Sequence, residues 1–98
     1  MSKIKLNSHQ LKANKLILEV ISDMIGGYEN QMTDSEEGSE DWLTADEFLK
    51  TERNQMIELL YEIIITEAQY KGNDKHINFA GIKFIKTNIS NKLTEWGY

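Results

Sequence analysis

Cysteine is missing from the chain of 98 residues. Disulfides, thiolate metal sites and cysteine nucleophiles are therefore excluded. No apolar run approaches the ~20 residues needed to span a bilayer, and the N-terminus has no signal-peptide core. With the missing cysteine, this leads to the expectation of a cytoplasmic protein without a membrane partner. Proline is also absent, so no helix is forced to break before its natural cap. Histidine is confined to His9 and His76, far apart in sequence and without the spacing of a metal pair. No serine sits in a nucleophile elbow and no glycine-rich phosphate loop occurs. Neither an enzyme nor a bound cofactor or metal is expected.

What the chain does contain is segregated charge. The net charge is −5, but residues 26–47 hold eight acidic residues and no basic one, a balance of −8. Residues 1–25 and 71–98 are net basic, at +2 and +3. A focused acidic segment suits a basic partner better than evenly spread charge does. The stretch also invites a calcium-loop reading. With Gly38 at the sixth position, however, Glu40 falls where an apolar residue belongs and Thr44 where a bidentate Glu is needed, and a specific site is not expected.

Hydrophobic residues make up 40% of the chain, enough for one core at this length. A single all-α domain over residues 1–98, built from three helices, is predicted. Helix 8–26 starts at Asn7 or Ser8, with Gln10 as a capping-box partner of Asn7, and stops at Gly26–Gly27. Helix 44–71 starts at Thr44 with Glu47 in a capping box, and Leu43 with Phe48 forms a hydrophobic staple. Its apolar face carries Leu49, Met56, Leu60, Ile63 and Ile64, widened by Ile57, Leu59 and Ala68. Helix 78–96 aligns Ile82, Ile85, Ile89, Leu93 and Trp96. The segment INFAGIKFI also has strand-like composition, with residues 2–6 as a short extended arm that could pair with it. Residues 29–42 read as a flexible acidic loop.

Helix 8–26 is apolar around most of its circumference. In a three-helix domain this points to a homodimer interface made of Leu16, Ile17, Val20 and Met24; the alternative is a central place in the bundle. Arg53 and Glu67 lie on the apolar face of helix 44–71, about 21 Å apart along the axis. They cannot pair within that helix, but they could meet across an antiparallel dimer.

The surface expected to bind comprises Asp34, Glu36, Glu37, Glu40, Asp41 and Trp42 from the loop, with Glu58 and Glu62 one turn apart on helix 44–71. Trp42 is either a lid over the helix start or an exposed aromatic anchor. Carboxylates in this pattern can imitate a phosphate backbone. The general look is similar to small bacterial or phage proteins that act by binding another protein. The expected function is a non-enzymatic inhibitor or immunity-type module that binds a basic, nucleic-acid-processing protein. A structural subunit and a binder of small anions, with lysines near Tyr28 or Tyr70, are the alternatives. Direct nucleic-acid binding is not expected at a pI of about 5.0.

Overall fold

A computed structural model describes residues 7–98. The arm expected over residues 2–6 lies outside them. Asn7 opens α1 (Ser8–Ile21) through the anticipated capping box. Its side chain accepts from the Gln10 N–H at 2.8 Å, and Gln10 Oε1 accepts from the Asn7 N–H at 3.0 Å. The helix does not stop at Gly26–Gly27. Ser22–Gly26 form a π-helical turn, and the chain runs on into α2 (Gly27–Asp34). Glycine ends a helix where it takes a positive φ. Here Gly26 and Gly27 keep φ of −61° and −62°.

Residues 35–39 reverse the chain, with Gly38 at φ 85°, and α3 (Glu40–Leu49) returns along α2. Then come α4 (Arg53–Tyr70), α5 (Asp74–Ala80) and α6 (Ile82–Glu95). Counting α1 to α2 as one rod, the described residues form five rods, where the sequence predicted three helices. The described residues contain no strand, so INFAGIKFI is helical on both sides of Gly81. That residue sits at φ 91° and ψ 150°, a conformation essentially reserved for glycine, and it divides the expected helix 78–96.

The expected helix 44–71 is also divided. Ser39 caps α3, its Oγ accepting from the Trp42 N–H at 3.3 Å. Thr44 lies inside the helix and donates its hydroxyl to the Glu40 carbonyl at 2.9 Å. Near residue 50 the Thr51 N–H donates to the Phe48 carbonyl at 3.1 Å and its hydroxyl to the Glu47 carbonyl at 3.3 Å. Such local bonds compete with the next helical turn, and Glu52 leaves the helix at ψ 139°. The expected acidic loop 29–42 is correspondingly short: residues 29–34 belong to α2 and 40–42 to α3.

α1 packs against α4, α5 and α6. The core lines up Met56, Leu60, Ile64 and Ala68 of α4 and Ile85, Ile89 and Leu93 of α6 at four-residue spacing, against Ala13, Leu16, Ile17, Val20 and Ile21 of α1. Burying a side chain of this kind contributes about 1.5–3 kcal/mol. The expected dimer surface is corrected here. Leu16, Ile17 and Val20 are buried within their own chain and Met24 is half-buried against the same core, because three rods enclose α1 instead of two. Some expected core positions stay outside: Leu59 and Ile82 are exposed, and Trp96 rests at the edge beside Gly26. Arg53 also finds its partner within the chain. Its Nη2 donates to the Ser90 carbonyl at 2.7 Å, to Ser90 Oγ at 2.8 Å and to Thr94 Oγ1 at 2.7 Å. No described helix is long and apolar enough to cross a membrane.

Candidate functional site

The helical hairpin of α2 and α3 extends from the bundle, and three kinds of contact close it. At its base the Tyr28 and Phe48 rings stack with centroids 4.4 Å apart. Ala45 is fully buried midway. Nearer the turn, Gln31 Nε2 donates to the Asp41 carbonyl at 2.7 Å. Partial burial first, and then the charge of nearby Glu29, raise the Tyr98 pKa above the ordinary phenol value.

This scaffold carries Asp34, Glu36, Glu37, Glu40 and Asp41 at one tip, all exposed. Among the described residues none of the five has a lysine, arginine or histidine within ion-pair distance, whereas Asp46, Glu19, Glu58, Glu67 and Glu95 each have one. Glu40 and Asp41 occupy the first turn of α3, where the helix dipole favours negative charge. Asp34 ends α2, where the same dipole opposes it by about 0.3–1 kcal/mol. The tip therefore concentrates repulsion that no cation among the described residues offsets. Stability alone does not select such an arrangement, and a cationic partner would relieve it.

Two apolar groups border these carboxylates. Trp42 is half-buried in the first turn of α3, and Leu43 is 52% exposed. Leu43 is thus no staple over Phe48, whose ring faces Tyr28. An aromatic and an aliphatic side chain rimmed by charge have the composition of an interface anchor.

Glu58 and Glu62 belong to a different place. They lie on the exposed face of α4 beside Asn54, Gln55 and Leu59, beyond the whole length of α3 from the tip. Glu58 is also engaged, its Oε1 lying 2.6 Å from Lys86 Nζ, which sits over the Tyr61 ring at 5.1 Å.

Two further features are brought together only by the fold. His9 and His76 face each other with Nδ1 atoms 2.8 Å apart. An open cleft of about 290 Å³ is lined by Lys12, Lys15, Leu16, Glu19, Lys71 and Asn73. Lys71 is held there by Glu19 at 3.3 Å and Glu67 at 3.9 Å. Local spacing signals neither feature. Among the described residues no three histidine or acidic side chains converge as metal ligands do. No protein-family model, no curated protein and no solved structure matches the chain.

Proposed function

We propose that the protein is a non-enzymatic binding module that applies the tip of the α2–α3 hairpin to a basic surface on another protein. The observation that carries this reading is the set of five exposed carboxylates between Asp34 and Asp41, without a cation partner among the described residues. Trp42 and Leu43 beside them supply apolar area for a specific contact, and the clustered charge speeds encounter. A target that itself handles nucleic acid would accept carboxylates at phosphate positions. Inhibition or immunity, in a bacterium or its phage, is the role this implies. Glu58, already paired with Lys86, contributes little; Glu62 belongs at most to a second contact.

The alternative of a small-anion binder has the lysine cleft in its favour. Its lysines are exposed and no buried polar side chain faces a ligand there, so the tip carries more of the argument. The test exchanges Asp34, Glu36, Glu37, Glu40 and Asp41 for Asn or Gln and compares capture from lysate of the native host. Wild type is expected to retain a discrete partner that is released as salt rises, since screening weakens exposed charge pairs. The neutralised variant is expected to lose that partner by more than about tenfold, or ~1.4 kcal/mol. Equal capture of the same partner by both proteins would refute the reading.

A further inference from the structure

α5 is the shortest α-helix among the described residues. It has seven residues, well under the length at which an isolated helix holds in water. Glycines bracket it, Gly72 at φ 73° and Gly81 at φ 91°, so both ends turn through conformations that other residues resist. One core side chain, Ile77, anchors it. A small cleft of about 50 Å³, lined by Ala68, Asp74 and Ile77 among others, remains between α5 and α4.

What further ties α5 to α1 is a polar contact. His9 Nδ1 and His76 Nδ1 are 2.8 Å apart, and the His9 ring stacks on Phe79 at 4.8 Å between centroids. Such a contact is a hydrogen bond only while one nitrogen carries a proton and the other offers its lone pair. The pair accommodates two neutral rings, or one neutral ring and one cation. With two cations, both nitrogens carry protons, the bond is lost and like charges meet at contact distance.

We propose that His9 and His76 form an acid-released latch that holds α5 against α1 and lets go when both imidazoles are protonated. The surrounding charge acts in the same direction. α1 contributes Lys12 and His9, and α5 contributes Lys75. At the end of α4, Lys71 is offset by Glu19 and Glu67, and α6 turns Lys83 to solvent. Partial burial first, then Lys12, His9 and Lys75, lower the His76 pKa below its ordinary value of 6.5. A base with a depressed pKa in the folded state is neutral there while the unfolded chain already takes up protons. The stabilisation is therefore intact above about pH 6.5 and is lost as pH falls through the lowered value.

The test uses the full-length wild-type protein. Histidine NMR should show one ring as the Nδ1–H tautomer at pH 7.5 and the pair titrating in two separated steps. Hydrogen exchange, corrected for intrinsic pH dependence, should show protection of residues 74–80 falling about tenfold or more between pH 7.5 and 5. Protection in α4 should hold. A His76→Gln variant should lose the pH dependence in α5; if it fails to fold, the wild-type titration decides. Two histidines titrating independently near 6.5, or unchanged α5 protection at pH 5, would overturn the latch.

Discussion

Arg53 shows how much a single side chain can settle. Standing in the first turn of α4, it reaches across to Ser90 and Thr94 near the end of α6 and places Nη2, with its two N–H groups, within hydrogen-bond distance of one carbonyl and two hydroxyls that share them. Hydrogen bonds from a charged donor contribute about 1.5–3 kcal/mol, while the apolar stem packs much as a methionine would. Arg53→Met should therefore lower the unfolding free energy by roughly 1.5–3 kcal/mol in urea titration. Arg53→Lys should recover less than half of that loss, because the lysine Nζ falls about one bond short of the place that Nη2 occupies between Ser90 and Thr94. A cost below about 0.5 kcal/mol for Arg53→Met would show that water replaces the contact. The arginine was legible in the sequence as a charge on an apolar stripe. Its partners were not, since they lie 37 and 41 residues away. The same holds for His9 and His76, separated by 67 residues. Sequence spacing reports neighbours along one helix, and these contacts are made between helices.

At the scale of elements, what could be read depended on how local the cause was. The Asn7–Gln10 box and the four-residue spacing from Met56 to Ala68 are complete within one segment, and both appear in the structure as expected. The start of α3 was ambiguous because two caps compete. A helix opening at Ser39 gains a further turn and brings Ala45 and Phe48 onto α2, an advantage that Thr44 cannot reveal by itself. The acidic tip follows the same rule. Its composition was plain, but its helical walls depend on Tyr28 stacking with Phe48, and Glu58 was assigned to it without sight of Lys86. Gly81 was the one punctuation mark visible within the expected helix 78–96. Gly81→Ala should cost about 1–3 kcal/mol, the usual strain of such a backbone position, measured by thermal or urea unfolding. Gly27→Ala, at an exposed helical position with open space at Cβ, should stabilise by about 0.5–1 kcal/mol. Equal effects at both sites would mean that conformation does not decide the outcome.

Across the whole molecule, the rod from Ser8 to Asp34 runs about 40 Å in a body whose longest extent is 46 Å. Carboxylates gather at one end of that rod, and His9, Lys12 and Lys15 stand near the other. The joint between them is the π turn Ser22–Gly26, which fits more residues into its circuit than an α-helical turn would. Its consequence is angular. A helix advances by roughly 100° per residue, but the wide turn takes up its extra residue without that advance, so α2 and α3 keep the bearing of a regular helix one residue shorter. Deleting Ser22 should therefore leave that bearing nearly unchanged, whereas one alanine inserted after Gly27, in the regular helix of α2, should swing the hairpin by about that angle. Net charge would be unchanged, yet the carboxylates would face a different quarter. Spin-label distances between α3 and α6 would register the swing, and recognition that depends on bearing as well as charge would vanish with it.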